Sequence, residues 1–123
     1  MIQWFNVKER SGVASLYPNN ITLNTTAMYP FDTAFKVQVG MDEDKNIIIM
    51  PLTKESVESG LLDECCLLKI EMHKSFARIS STTLLKQIAE ELNLTLSKKP
   101  VQFPTKWDSK ENFLIIETKK GGQ

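Results

Sequence analysis

One short pattern occurs twice in the chain, once in each half, and it constrains the fold more than any other feature. In each half an apolar stretch leads to a Thr-Thr pair, and a later stretch reads apolar-Asp-x-x-x-Asn-apolar-x-Ile. The first repeat places these pieces at residues 21–28 and 41–50, and the second places them at 78–85 and 107–116. A strand, a short helix and a hairpin written twice predict two modules that bury their apolar faces against one another.

Hydrophobic periodicity, capping residues and turn residues predict the elements that make up these repeats. The clearest helix starts at Ser80 or Ser81, and its leucines and isoleucine recur at helical spacing as far as Asn93. The expected helices are 24–28, 53–62 and 81–93, the expected strands are 4–7, 21–23, 35–39, 47–50, 66–73, 76–79, 101–103 and 113–117, the expected turns are 42–46 and 108–112, and the tail 119–123 is expected to fray.

The length of 123 residues fits a single domain, 1–123, with room for one core. Within it, repeat one covers about 12–52, a helical connector covers 53–62 and repeat two covers about 66–118. The expected fold class is mixed and β-rich (α+β), with the two strand-helix-hairpin repeats interleaved into a pseudo-two-fold, β-barrel-like unit. The fully apolar run 47–50 has to be covered on both faces, by the other repeat or by a second subunit.

Composition and cysteine usage indicate a cytoplasmic protein without a membrane span. The chain is 41% hydrophobic and 24% charged, and it has no leader-like start and no long apolar segment. Cys65 and Cys66 are adjacent, a spacing that disfavours a disulfide and lacks the Cys-x-x-Cys pattern of metal and redox sites. We expect both to be small, half-buried residues of an apolar strand, with no metal site and no cofactor.

The sequence gives little reason to expect an enzyme. His73 is the only histidine, and it has no identifiable nucleophile partner. There is no nucleophile elbow and no phosphate-binding glycine loop. The acidic turn at 42–44 lacks the glycine and distal glutamate of a calcium loop, so a solvated hairpin turn is the better interpretation.

Charge is balanced overall but uneven along the chain. Residues 1–60 hold five basic and seven acidic side chains, whereas residues 61–123 hold ten basic and eight acidic ones. The second half is therefore the basic half, although it falls short of the dense patch of a strong nucleic-acid binder. Arg10 and Arg78 are the only arginines, which leaves little for direct reading of base edges.

The stretch from Asp32 to Pro51, DTAFKVQVGMDEDKNIIIMP, resembles the swapped-hairpin modules of AbrB-type regulators. The presence of both modules in one chain is more similar to the MraZ branch of that family. The resemblance covers roughly residues 12–52 and, more weakly, 76–117. It implies a bacterial DNA-binding transcriptional regulator that forms a homo-oligomer, such as a dimer. The stretch Gly12 to Asn24 also resembles an uncharacterised group of short bacterial proteins, which implies no activity.

The chain departs from the family pattern at the residues that would bind DNA. Neither repeat contains the Asp-x-x-x-Arg motif of the MraZ branch, and residues 21–28 carry no charge. The second repeat carries basic residues instead, with Lys8, Arg10 and Lys74 as further candidates. The predicted nucleic-acid-binding residues are Arg78, Lys86, Lys98, Lys99 and Lys106.

Two functions follow from these observations. The resemblance and the charge asymmetry favour binding of duplex DNA through the basic second half. The neutral charge and the absence of charge from residues 21–28 favour the alternative, a non-catalytic protein-interaction or scaffold module of the same fold. For Arg78 an ion pair with a nearby carboxylate is the competing interpretation, and for Lys98 and Lys99 it is a solvated loop.

Overall fold

The computed structural model describes residues 1–5 and 12–118, and it shows a strand-rich half-barrel with three short helices. In chain order the elements are β1 Val13–Leu16, β2 Asn20–Asn24, α1 Thr25–Met28, β3 Lys36–Met41, β4 Ile47–Leu52, α2 Lys54–Glu58, β5 Leu67–Leu68, β6 Glu71–Met72, β7 Phe76–Ser80, α3 Thr82–Leu92, β8 Val101–Asp108 and β9 Phe113–Ile116; 3-10 turns lie at Tyr29–Phe31 and Glu64–Cys66.

The strands form one nine-stranded sheet within the described residues, in the order β5-β3-β4-β9-β8-β1-β2-β7-β6. Every neighbouring pair is antiparallel. After β5, the strands of this order come two at a time from the first and the second half of the chain in turn. The halves therefore meet where β4 pairs with β9, where β8 pairs with β1 and where β2 pairs with β7. The sheet therefore depends on contacts between the halves.

The core lies on one side of the sheet, because buried and half-buried residues alternate along β1, β2, β7 and β9. We call this the inner side. Phe31, Leu85 and Ile88 pack into the same cluster from the 3-10 turn after α1 and from α3. Phe31 also meets Trp107 edge to face, with ring centroids 6.1 Å apart. The helices thus cover the inner side, and the outer side carries the polar residues of the strands.

Both main helices begin at a side-chain cap. The Asn24 carboxamide oxygen accepts a hydrogen bond from the backbone N–H of Ala27 at 3.0 Å, and the Ser81 hydroxyl accepts one from the N–H of Leu84 at 3.1 Å. Asn93 ends α3 in the left-handed conformation with φ 55°. The predicted starts of α1 and α3 and the predicted end of α3 are confirmed.

Several element boundaries differ from those predicted. The helix expected at 53–62 spans only Lys54–Glu58, and Gly60 follows it with φ 78°. The strand expected at 66–73 is divided into two short strands, β5 and β6. Strand β8 is longer than 101–103, because it continues through Pro104 where the strand passes from β1 to β9.

The prediction for the cysteine pair is wrong. Cys65 and Cys66 are exposed and lie in the 3-10 turn before β5, because the Asp63 carboxylate caps that turn by accepting a hydrogen bond from the Cys65 N–H at 3.0 Å. The negative charge of Asp63 raises the pKa of the Cys65 thiol above its usual range, which keeps this thiol protonated and poorly nucleophilic.

Residues 1–5 form no regular structure, so the predicted strand 4–7 does not form at 4–5, and residues 6–7 lie outside the described part. Lys8, Arg10 and the tail 119–123 also lie outside it. In the described ranges, no helix has both the length and the apolar character that crossing a bilayer requires.

Candidate nucleic-acid interface

A row of polar side chains crosses the outer side of the sheet at the level of Arg78. Strand register places Arg78 of β7 opposite Thr22 of β2 and opposite Glu71 of β6. Thr22 lies opposite Ser15 of β1, which in turn lies opposite Gln102 of β8. Directly opposite residues have Cβ atoms about 5 Å apart, so these five side chains are neighbours. We call them the polar row.

Alternation in four strands produces this row. The inward neighbours Ile21, Ala77 and Phe103 are buried, and the register then turns the intervening polar residues outward together. The hydroxyl of Ser15 accepts a hydrogen bond from the Gln102 amide at 3.1 Å. The Thr22 hydroxyl donates to the Asn20 carboxamide oxygen at 2.8 Å. The row is thus an ordered polar surface in which one arginine lies between the uncharged Thr22 and the carboxylate of Glu71.

Arg78 has no carboxylate partner in the described residues, where the ion pairs are Lys54 with Glu58 and His73 with Glu71, each at 3.9 Å. The ion pair that competed as an interpretation of Arg78 is therefore not formed. Its Nε atom is buried and has no hydrogen-bond acceptor within the described part of the chain. A buried donor left without a partner costs about 1–3 kcal/mol.

Aromatic rings support the Arg78 side chain from one side. The guanidinium carbon lies 5.2 Å from the centroid of the Phe76 ring, within the range of a cation–π contact. Phe76 in turn stacks on His73, with centroids 4.4 Å apart and the ring planes 18° from parallel. This stack restricts where the guanidinium can point, so Arg78 is held in place on the sheet surface.

The other predicted basic residues lie at different distances from the row. Lys106 is exposed on β8 and shares the outer face with Gln102, because the two are four residues apart on one strand. Lys98 and Lys99 are exposed and precede β8 at the end that holds Gln102. Lys86 is exposed on α3, a helix whose buried residues pack on the inner side. The fold therefore places Lys106 on the outer face with Gln102 and separates Lys86 from both.

Sequence reasoning identified Arg78 but missed Ser15, Thr22 and Gln102. The alternation of apolar and polar residues in β2 indicated that Thr22 points outward. The sequence does not give the strand register, which aligns residues 56 or more positions apart, such as Thr22 and Arg78. His73 and Phe76 were also missed as supports, because the short turn between β6 and β7 brings them together.

No group of three or more metal-ligating side chains is assembled in the described residues. Comparison of the chain with protein-family models, with curated proteins and with solved structures gives no match. Function is therefore argued from the chemistry of the outer face, because a fold alone does not assign one.

Proposed function

We propose that the protein is a DNA-binding transcriptional regulator that contacts the duplex backbone through the outer face of β8, β1, β2 and β7. The observation that supports this most is Arg78, which is held by an aromatic stack, has no carboxylate ion pair among the described residues, and lies between Glu71 on one side and the uncharged Thr22 on the other. The arginine fork matches the geometry of a phosphate, and charge-assisted pairs of this kind are among the strong hydrogen bonds.

The rest of the face has the residue types that position a protein on DNA. Phosphate oxygens accept hydrogen bonds from Ser, Thr and Gln side chains as well as from basic ones, and such contacts carry little sequence information. Ser15 and Gln102 supply uncharged donors, and Lys106 adds a positive charge four residues along β8 from Gln102, about 13 Å away. Duplex DNA carries about one charge per 1.7 Å of axis, so this face spans several phosphates.

We also infer that the chain consists of two repeats related by a pseudo-two-fold axis, and the strand register supports this. When the two repeats are aligned in sequence, Ile21 is equivalent to Arg78 and Thr22 is equivalent to Ile79. Replacing each residue of the pair Thr22–Arg78 by its equivalent gives the pair Ile79–Ile21, which is also present in the strand register. Antiparallel pairing of equivalent strands is what a two-fold axis between them requires.

The hairpins give the same support. Aligning Asp42 with Asp108 makes Ile48 equivalent to Leu114, and the pair Ile48–Ile115 then becomes Leu114–Ile49, again in register. In each turn the aspartate carboxylate accepts backbone N–H bonds, from Asp44 and Asn46 in one and from Lys110 and Glu111 in the other. Such a unit is the interleaved, barrel-like arrangement expected of AbrB-like regulators.

A second function, a non-catalytic protein-interaction module of the same fold, is favoured by one observation. Large apolar side chains are exposed at Ile2, Trp4, Phe5, Tyr29 and Leu61. Three of them are close together in one terminal segment, and clusters of exposed apolar groups mark interaction sites more often than isolated ones do.

Fluorescence anisotropy with mixed-sequence duplex DNA, measured at low and at physiological salt, separates these functions. Wild-type protein should bind, and its affinity should fall steeply as salt rises. Arg78→Ala should weaken binding and make the slope of log K against log salt shallower by about 1, while Arg78→Lys should recover part of the affinity. Absence of binding at low salt would reject DNA binding and favour the interaction module.

Two lysine variants locate the interface. Lys106→Ala should also reduce the salt slope by about 1, whereas Lys86→Ala should leave it unchanged, because Lys86 lies on the helix that covers the inner side. Both residues are exposed, so neither variant should disturb folding. The reverse result would move the interface from the outer sheet face to α3.

A further inference from the structure

Strand β3 has an edge that is only partly covered. It pairs with β4 along all six residues, but β5 covers its other edge only at Val37 and Gln38. From Val39 to Met41 that edge pairs with no strand in the described residues. An uncovered edge presents backbone donors and acceptors that can add another strand.

An apolar groove lies beside this edge on the inner side. It has a volume of about 200 Å³ and lies between β3 and α3, lined by Val39, Gly40, Met41, Leu84 and Ile88 together with the polar Gln87 and Glu91. On the outer side of the same edge, Gly40 leaves open space, since a Cβ atom placed there would meet nothing within 4 Å. Both faces of an added strand would therefore find room.

The N-terminal segment 1–5, Met-Ile-Gln-Trp-Phe, has the pattern that fits these two faces. Ile2, Trp4 and Phe5 are 70%, 81% and 87% exposed, so the segment makes little contact with its own chain. In a strand Ile2 and Trp4 point to one face, and Gln3 and Phe5 point to the other. Ile2 and Trp4 suit the apolar groove, and an aromatic ring suits the open space over an edge glycine.

A segment from a second chain fits this edge better than the segment of the same chain. Gly12 is fixed beside β8, where its carbonyl accepts from the Thr105 N–H at 2.9 Å. Five strand spacings separate β1 from a strand added outside β3, about 24 Å along the sheet. The seven peptide units from Phe5 to Gly12 reach at most about 23–25 Å. The same chain would therefore be almost fully extended across the sheet, whereas a second chain has no such constraint.

We propose that two chains form a dimer by exchanging their N-terminal segments, each laid as an added strand on the open edge of β3 in the other. The exchange is reciprocal and closes with two-fold symmetry. Aromatic side chains bury about 150–250 Å² each. Two per segment, Trp4 and Phe5, with two segments and the surfaces that receive them, amount to about 1,200–2,000 Å², which is the size range of a standard stable interface. This inference does not rest on DNA binding.

Light scattering and site-directed cross-linking test the dimer. Wild-type protein should have twice the 14.0 kDa mass of the chain. The double variant Trp4→Ser/Phe5→Ser should be monomeric at concentrations where wild type is dimeric, with its dissociation constant raised at least about 100-fold, because buried aromatic anchors dominate such interfaces. Circular dichroism should be unchanged, since these side chains are exposed in the single chain.

Cross-linking identifies the edge. In a Cys65→Ser/Cys66→Ser background, chains with Gln3→Cys are mixed with chains with Gly40→Cys and treated with a short bis-maleimide. A cross-linked dimer should form with Gly40→Cys and not with the matched control Gln102→Cys, an exposed position on β8.

Three results would overturn the proposal: a monomeric wild type, a dimer that survives the double variant, or the absence of a cross-link between chains with Gln3→Cys and chains with Gly40→Cys. Failure of DNA binding in an intact dimer would reject the proposed function alone. A monomer that binds DNA would reject the exchange alone.

Discussion

The two strand-to-helix junctions, β2–α1 and β7–α3, are built alike but have different roles. Each begins at a side-chain cap one residue before the helix. The first helix has four residues, no charge and one buried side chain, Ala27, and a Tyr-Pro-Phe turn follows it. The second has eleven residues, buries Leu85 and Ile88, and follows the strand that carries Arg78. The same local design thus places the uncharged Thr22 on the proposed interface in the first half and the charged Arg78 there in the second.

The largest expected effect tests whether α3 contributes more to the core than α1. Leu85 is fully buried in the main cluster, so Leu85→Ala should lower the free energy of unfolding by about 2–5 kcal/mol. Ala27→Gly, the corresponding test in α1, should lower it by only about 1 kcal/mol. Urea unfolding followed by circular dichroism measures both. Equal losses would mean that the two junctions are equivalent in packing.

Gly12 ties the first junction to β8 and has no counterpart in the second. A Cβ atom at this position would collide with the Thr105 hydroxyl oxygen and would lie 3.3 Å from Ala27. Gly12→Ala should therefore destabilise the protein by about 1–3 kcal/mol, as overpacking does.

The double variant Gly12→Ala/Thr105→Ala removes the closest of these contacts. It should be more stable than Gly12→Ala alone, as measured by the same urea unfolding. If the second substitution gives no recovery, the collision with Thr105 is not the cause of the loss.

The two helix caps differ in the number of backbone hydrogen bonds that they accept. The Asn24 carboxamide oxygen accepts from Ala27 N–H and also from Val13 N–H of β1, each at 3.0 Å, whereas the Ser81 hydroxyl accepts from Leu84 N–H. Asn24→Ala should cost about 2 kcal/mol, since it leaves two backbone donors unpaired, and Ser81→Ala about 1 kcal/mol. Thermal unfolding of both variants tests the order, and a larger loss for Ser81→Ala would reverse it.

The junctions and turns could be predicted because their signals are local in the sequence. The proposed interface could not be predicted, because it depends on the register between strands that are distant in the sequence. Asn24, Ser81 and Asn93 act through neighbours within a few residues, so their types revealed the helix ends. The row that places Ser15 and Thr22 beside Arg78 depends on pairing between distant strands, which residue type does not encode. The family resemblance and the DNA-binding role stay predictions.

At the cysteine pair the sequence did contain a local signal, the capping residue Asp63. The prediction of a strand rested instead on the general rule that apolar runs form strands. An apolar run after Cys65 and Cys66 favoured a strand, yet the preceding Asp63 caps a 3-10 turn that turns both thiols outward. An aspartate directly before a turn, as Asp63 is here, is itself a capping signal. The Asp63 carboxylate thus decided the local structure at this point of the connector.

The smallest expected effect compares the two hairpin turns, where each has one non-glycine residue with positive φ. Lys45 has φ 65° and Asn112 has φ 59°. Asparagine tolerates this conformation, whereas for lysine it costs about 1 kcal/mol. The Lys45 amine also donates to the Glu91 carbonyl near the end of α3 at 3.0 Å, a favourable position for a cation.

Substitutions separate these two contributions of Lys45. Lys45→Met keeps the backbone strain and loses the bond, so it should destabilise by about 0.5 kcal/mol. Lys45→Gly loses both and should be more stable than Lys45→Met by about 1 kcal/mol, while Asn112→Gly should change the free energy of unfolding by less than about 0.5 kcal/mol. Urea midpoints at constant m-value resolve these differences. The prediction is wrong if Asn112→Gly stabilises the protein by as much as Lys45→Gly gains over Lys45→Met. That result would mean that Lys45 and Asn112 carry the same backbone strain.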